Sequence, residues 1–411
     1  MSDLEFQAAD WDEVALGDVC TFRGGNGFGE EFQGQSNGDF PFIKVSDLTI
    51  PGNEKYITAS NNWVSSSALQ KMRANLQPKN ATVFPKVGAA LKLNRRRILT
   101  RPTAIDNNMM AAIPNPGRMD SEYLYYFMLV QDLGRYSQES AVPSVNQGHL
   151  SSIDIGLPPI NEQQKIAEVL RTWDDGIEKL QLLRSGNLRR RVWLRSHVFS
   201  GRTRLPGFSG EWREVTLREV LTEHGLQGTG AEEVFSVSVH KGLINQIEHL
   251  GRSFAAADTG HYNRVLSGDI VYTKSPTGDF PLGIIKQSKI ADEVIVSPLY
   301  GVFTPATRSL GVILDALFES PIAVRNYLSP LVQKGAKNTI AITNRRFLEG
   351  KLRLPMDPDE QAAISNVIET SQAELAAIDA EIKLVTRQRR GLMQKLLTGE
   401  WRVNVNGDPH G

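Results

Sequence analysis

The run Gly24-Gly-Asn-Gly27-Phe-Gly29 has residue types that could do chemistry, because glycine-rich loops can cradle phosphates on their backbone N–H groups. No helix signal follows it, so it reads as a flexible surface loop. The chain also lacks a glycine-rich loop closed by Gly-Lys-Ser or Gly-Lys-Thr, which argues against nucleotide hydrolysis. His240, His249 and His261 have neither metal-ligand spacing nor acidic company, and they read as scattered surface histidines. The single cysteine, Cys20, excludes an internal disulfide and a cysteine-based zinc cluster. What remains is charge. Arg184, Arg189, Arg190, Arg191, Arg195, Arg202 and Arg204 fall within one stretch that holds no acid. Lys86 to Arg101 is also purely basic and includes Arg95, Arg96 and Arg97.

These clusters sit in a chain of 411 residues whose 46 Lys plus Arg balance 46 Asp plus Glu. A protein holding nucleic acid by bulk charge alone would be basic, so the zero net charge counts mildly against that ligand. Distribution matters more. Acids gather at Asp357, Asp359, Glu360 and from Glu369 to Glu381, and segregated charge can steer an anionic ligand. The length suits two domains plus connecting elements, and the 40% hydrophobic content suffices for packed cores. No segment approaches the roughly 20 apolar residues that span a bilayer. The N-terminus, MSDLEFQAADWDEV, is acidic and polar, unlike a secretory signal. A cytoplasmic protein is expected, with no membrane partner.

The elements that must position any site come from an internal repeat. Trp11-Asp-Glu-Val14-Ala-Leu16-Gly-Asp-Val19 matches Trp212-Arg-Glu-Val215-Thr-Leu217-Arg-Glu-Val220. Leu157-Pro158 followed by Glu162-Gln163 and Ile166 matches Leu354-Pro355 followed by Glu360-Gln361 and Ile364. Phe199-Ser200-Gly201 matches Leu397-Thr398-Gly399. The three pairs keep one order and lie between 197 and 201 positions apart, which points to a tandem duplication. Pro158 and Pro159, like Pro355 and Pro358, favour a helix start. Asn161 with Gln164, and Asp357 with Glu360, have the spacing of a capping box. Gly201 and Gly399 fit C-terminal caps.

Each copy then carries a long helix. In the second copy Ile364, Ile368, Ser371, Leu375, Ile378, Ile382, Val385, Arg389, Leu392 and Leu396 alternate steps of four and three, a coiled-coil seam. The matching positions in the first copy are Ile166, Leu170, Trp173, Ile177, Leu180, Arg184, Asn187, Arg191, Leu194 and Val198. That seam is apolar at both ends and polar in the middle, with Leu183 and Leu188 just off it. At ~1.5 Å per residue each helix runs roughly 55–60 Å, and packing one against the other, antiparallel, would hold the globular stretches apart. The globular stretches read as mixed, α/β (α+β), with short strands such as Phe40–Val45, Thr82–Phe84, Val234–Val239 and Asp269–Tyr272. Short helices are expected over Tyr123–Val130 and Leu310–Tyr327. The expected order is a head over 1–160, a central spacer helix over 161–200, a second head over 201–357, a C-terminal spacer helix over 358–400 and a tail over 401–411. The heads differ markedly between their shared edges, which suggests two different recognition targets.

At these residues the chain resembles the specificity subunit of type I restriction–modification systems, the HsdS family. The resemblance rests on Trp11-x-x-Val-x-Leu, on Pro41-Phe-Ile-Lys-Val-Ser-Asp47-Leu, and on Asn146 through Leu157-Pro158 to Glu162-Gln163. Leu354-Pro355 to Glu360-Gln361 and Leu392-Met-Gln-Lys-Leu-Leu-Thr-Gly399-Glu-Trp-Arg402 complete it, so it spans nearly the whole chain. It implies two target recognition domains, each reading one half of a bipartite site on double-stranded DNA. It implies that the helices set the gap and dock two adenine methyltransferase subunits, with motor–nuclease subunits joining them. S-adenosylmethionine, ATP and magnesium would belong to those partners, leaving no cofactor here.

Catalytic parts are missing. An amino-methyltransferase needs an Asn/Asp-Pro-Pro-Tyr/Phe tetrapeptide, and the approximations are Leu157-Pro-Pro-Ile160 and Asn115-Pro-Gly. The first lacks the polar residue that would hold the target amine. Arginine bonds guanine bidentately, asparagine or glutamine bonds adenine, and lysine holds phosphates. The candidates in the first head are therefore Lys44, Ser46, Arg95, Arg96, Arg97, Asn107, Asn108, Ser144, Asn146 and Gln147. In the second they are Ser236, Ser238, His240, Lys241, Lys274, Ser275, Lys337, Asn338, Asn344 and Arg345. For each, a solvated surface residue is the plain alternative; the regions of Gln147 and Asn344 correspond between copies. The Arg184–Arg204 cluster could hold spacer-DNA phosphates, face a methyltransferase, or pair with Glu369, Glu374, Asp379 and Glu381, and the pairing is favoured. The reading is a non-catalytic specificity subunit. A stand-alone DNA-binding regulator and a coiled-coil scaffold are its competitors.

Overall fold

The computed structural model describes residues 7–135, 143–250, 259–334 and 340–404. It divides into two compact units, one of residues 1–180 with 381–411 and the other of 181–380. The long helices are Ile160–His197 (the central helix) and Pro358–Leu397 (the C-terminal helix). Each unit therefore holds one head and half of each long helix. Among the described residues no helix is long and apolar enough to cross a membrane.

In the first unit, strand β1 (Asp12–Ala15) pairs antiparallel with β9 (Asp154–Leu157), so the two edges of the first copy meet. Between them lie β2 (Cys20–Gly24), β3 (Phe40–Ile43), β4 (Tyr56–Ile57), β5 (Thr82–Pro85), β6 (Arg97–Leu99), β7 (Thr103–Ile105) and β8 (Met109–Pro114). One sheet has the order β2-β8-β5-β6-β4; a second joins β3 and β7 in parallel. The apolar alternation that marks these strands sends Val83, Ile105 and Ala111 into one small core and Phe84 and Met110 into the main one. Helix α1 (Ser121–Val130) is capped by Asp120, whose carboxylate accepts from the backbone N–H of Glu122 and Tyr123.

The second unit repeats this frame. Strand β10 (Arg213–Thr216) pairs with β17 (Lys351–Leu354), as β1 pairs with β9. Between them are β11 (Leu221–Glu223), β12 (Phe235–Ser238), β13 (Gly242–Asn245), β14 (Ile270–Thr273), β15 (Ile284–Gln287) and β16 (Gly301–Pro305). The sheet order β11-β16-β14-β15 repeats β2-β8-β5-β6. The segment expected as one helix over Leu310–Tyr327 is two, Arg308–Phe318 and Pro321–Leu328, because Ser320-Pro321 supplies a new N-cap and a proline at the first turn.

The duplicated motif has the same structural meaning in both units. Leu16 and Leu217 are fully buried, and Trp11 and Trp212 are buried beside the start of a long helix. Gln163 Nε2 donates to the Pro158 carbonyl and Gln361 Nε2 to the Pro355 carbonyl, each at 2.8–2.9 Å. Glu162 and Glu360 each take an arginine that follows the other long helix: Arg402 at 2.7 Å and Arg204 at 2.6 Å. The capping box expected at Asp357–Glu360 does not form, because Glu360 is committed to Arg204; Asp357 Oδ1 instead accepts from Asp359 N. Gly201 and Gly399 do cap their helices, at φ +70° and +73°.

None of the ten seam positions on either helix is exposed. Ile166 and Leu170 share the first unit's core with Met393, Leu396 and Leu397, while Val198 shares the second unit's core with Ile364 and Ile368. Each such side chain contributes about 1.5–3 kcal/mol on burial. In the first unit Arg389 forms an ion pair with Asp174 at 2.5 Å; in the second Arg184 bonds Asp379 at 2.5 Å and Arg190 bonds Glu374. As the central-helix number rises, its partner's falls by nearly as much, which is an antiparallel register. Leu183 and Leu188, off the seam, are exposed.

Candidate nucleic-acid interface

In the first head, chain geometry gathers several candidates at one place. Strand β5 runs out into Lys86, whose backbone N donates to the Asn108 carbonyl at 2.8 Å and whose carbonyl accepts from Val145 N at 3.0 Å. Asp106 Oδ1 holds the 106–108 turn by accepting from Asn108 N at 2.7 Å, which leaves Asn107 and Asn108 exposed. Asn146 caps the short helix α2 (Gln147–Ser151) through His149 N, and Gln147 is exposed beside it. A Cβ placed on Gly24 would lie 3.1 Å from Lys86 Nζ and 3.8 Å from Gln147 Nε2, so both donors converge there. On Gly25 it would strike the Asp106 carbonyl at 2.0 Å. The glycine run thus begins as a close backbone approach rather than as a free surface loop.

Lys44 and Ser46 join this end of the head, because Asp106 N donates to the Ile43 carbonyl at 3.0 Å. Ser46 is exposed, while Lys44 Nζ is engaged with Gln33 Oε1 at 3.0 Å. Ser144 is half-buried and bridges Val87.

The triple arginine, expected on the surface, is not a surface run. Arg96 is fully buried over the Phe84 ring, with Nε and one terminal nitrogen unpartnered, and burial pulls its pKa down to about 9. Arg97 bonds the carbonyls of Arg96 and Leu48, so it ties β6 to its neighbours. Arg95 is half-buried.

In the second head, β12 and β13 form a hairpin with Ser236 and Ser238 half-buried along it and His240 and Lys241 exposed at its turn. His240 faces a cleft of about 690 Å³ that Arg184, Arg191, Arg195 and the buried Lys286 also line. Much of that positive charge is answered within the unit: Arg191 and Arg195 both pair with Glu319, and Arg184 with Asp379. Of the acids expected to serve the arginine cluster, Asp379 and Glu374 do so, and Glu369 pairs with Arg308 instead. Lys274 and Ser275 leave β14 exposed. Asn344 opens helix α4 (Asn344–Glu349, numbering α3 as Arg308–Phe318), and its Nδ2 donates to Glu223 Oε1 at 2.7 Å. Arg345 is 82% exposed and loosely paired with Glu349. Lys337 and Asn338 lie outside the described residues. The lysine at the end of β5, Lys86, escaped the sequence candidates; its signal would have been the matched lysine after β14.

Among the described residues no cluster of His, Cys, Asp and Glu could hold a metal ion. The donors and acceptors gathered on each head can bind phosphates and base edges, and none of them forms a nucleophile–base pair.

Residues 8–185 match the type I restriction modification DNA specificity domain. The chain is 27% identical over 175 residues to the type I restriction enzyme MjaIX specificity subunit of Methanocaldococcus jannaschii, which covers 41% of this chain and 39% of that one. It is 24% identical over 177 residues to the EcoR124I/EcoR124II specificity subunit of Escherichia coli, covering 42% and 43%. The chain thus spans about two fifths of the length of these two relatives. The MjaVIII specificity subunit of M. jannaschii aligns over 97% of this chain and 94% of its own length at 21% identity. The solved type I restriction–modification S subunit of M. genitalium shares the fold at a TM-score of 0.57 and 14% identity, over 96% of this chain and 98% of that one. The HsdS subunit of Thermoanaerobacter tengcongensis shares it at 0.51 and 14%, with the same coverage. With the duplicated motifs and the paired long helices in place, the chain is similar in sequence to type I restriction enzyme specificity subunits and shares the fold of solved S (HsdS) subunits.

Proposed function

We propose that this chain is the non-catalytic DNA specificity subunit of a type I restriction–modification complex, each head reading one half of a bipartite, gapped site on double-stranded DNA. The observation that carries this reading is the duplication itself. Two heads share one strand order and one set of ties to the long helices, yet differ in the loops that leave the frame. A common frame with divergent loops is what reading two different half-sites requires.

The long helices dock two adenine methyltransferase subunits, and motor–nuclease subunits join that assembly. Support comes from exposed apolar side chains on the central helix: Leu182, Val192 and Trp193 are 63%, 55% and 48% exposed. Exposed large apolar side chains on an otherwise charged helix suit a protein partner. S-adenosylmethionine, ATP and magnesium belong to those partners. The test is selection of binding sites from a random duplex pool by the chain assembled with its methyltransferases. Two short conserved blocks at a fixed separation support the reading, and a single undivided block or no enrichment overturns it.

A further inference from the structure

The two heads place a lysine at one and the same register position. Strand β2 begins at Cys20, opposite Pro114 at the end of β8; strand β11 begins at Leu221, opposite Pro305 at the end of β16. Four residues before each proline, Met110 lies opposite Phe84 of β5 and Gly301 lies opposite Tyr272 of β14. Phe84 and Tyr272 are therefore equivalent, and two residues beyond them stand Lys86 and Lys274. The residues between, Pro85 and Thr273, differ, as does most of the surrounding sequence, so the lysine recurs against a divergent background.

The neighbourhood recurs as well. Lys86 Nζ and Gln147 Nε2 converge on Gly24, and Gln147 opens α2. In the second head Asn344, which opens α4, bonds Glu223. Lys274 is near enough that the Glu223 charge offsets part of the lowering that burial imposes on its pKa. Lys86 thus stands beside a side-chain amide, and each lysine leaves backbone that is held firmly. Lys86 is bonded through both its N–H and its carbonyl. Thr273, just before Lys274, is packed under Gly283, where a Cβ would strike its carbonyl at 2.1 Å. Among the described residues neither lysine makes an ion pair, whereas arginines nearer the helices do.

Resting on the DNA-reading function proposed above, we infer that Lys86 and Lys274 are a duplicated pair of phosphate anchors, one per head, that fix each half-site's backbone without reading its sequence. An ammonium is a compact point charge suited to a phosphate oxygen, and contacts of that kind position a duplex while base contacts specify it. The lysine is the same in both heads because the phosphate it meets is the same, whatever bases each half-site holds.

The experiment uses the full chain assembled with its methyltransferases, carrying Lys86→Met, Lys274→Met, both, or the corresponding Lys→Arg changes. Affinity for a cognate and a scrambled duplex is titrated against salt, and the methylated motif is sequenced. Each Met variant is expected to weaken both duplexes by the same factor, about tenfold at low salt, and to reduce the slope of log K against log salt by about one. The motif stays unchanged, the two losses add, and arginine restores binding. Where the wild-type complex binds DNA, unaltered slopes in the Met variants, or a motif relaxed in one half-site, overturn the anchor assignment alone. A wild-type complex with no salt-dependent affinity overturns the functional reading with it. Thermal melts that match wild type assign any loss to contact rather than folding.

Discussion

Arg402 forms an ion pair with Glu162, 240 residues earlier, and the same guanidinium also bonds Asp10 at 2.6 Å. Glu162 in turn accepts from Trp11 Nε1. The end of the C-terminal helix is thereby fastened to the opening motif of the first head, as Arg204 fastens the end of the central helix to Glu360 beside Trp212. The segment after each long helix closes on the head that starts the other.

Arg402→Ala should therefore destabilise the first unit while leaving the second unchanged. Glu162 is buried and would be left unpaired, but Arg402 is 42% exposed, so the cost falls to about 1–3 kcal/mol, below the figure for a fully buried pair. Arg204→Ala should do the same to the second unit. Hydrogen exchange resolved by unit checks both, and equal loss of protection in both units from either change would contradict the assignment.

The Asp10 contact adds a pH dependence. Its hydrogen bond to Arg402 holds the Asp10 carboxyl below the usual range. A carboxylate with a depressed folded pKa contributes stability above its unfolded value, near pH 4, and loses it as pH falls through the folded value. The difference in melting temperature between Asp10→Asn and wild type should be present at pH 7 and shrink below about pH 4. A difference that grows on acidification would exclude this contact.

Much of the frame was legible because it is written in short-range patterns. Heptad spacing marked the seam from Ile364 to Leu396, and the matched glycines Gly201 and Gly399 marked where the helices stop. The proposed DNA-contacting surface draws on segments far apart in sequence, and no local pattern links Lys86 to Gln147 or Lys274 to Asn344. The Arg95–Arg97 run misled for a related reason: composition shows three cations, but only the strand pairing shows that Arg96 turns inward onto Phe84. Likewise, Glu360 has capping-box spacing, and a long-range arginine takes it.

Arg96 offers a sharper test. Its folded pKa, near 9, lies below the unfolded one, so carrying the charge into the core costs stability at every pH below the folded value. The cost is relieved only as pH rises between the two values. Arg96→Met, similar in volume and uncharged, should leave stability unchanged or raise it by about 1–4 kcal/mol, with DNA affinity intact. A well-folded Arg96→Met protein with reduced affinity would return Arg96 to the DNA interface.

Two ion pairs should report the helix register. Asp174 and Arg389 are about a fifth exposed, whereas Arg184 and Asp379 are more than two fifths exposed. Double-mutant cycles should give a larger coupling for the first pair, because solvent screens the more exposed second pair. Swapping Arg184 and Asp379 should recover most of what either single reversal loses; no recovery would mean that another register is occupied in solution.

The central claim is that this chain carries sequence choice for a complex whose chemistry lies in other subunits. Its most direct test is methylome sequencing of a host that expresses the chain with its methyltransferase, against a host lacking only this chain. The account predicts methylated adenines in a two-part, gapped motif that vanishes when the chain is absent. Methylation that is unchanged, or a motif that is short and undivided, would contradict it.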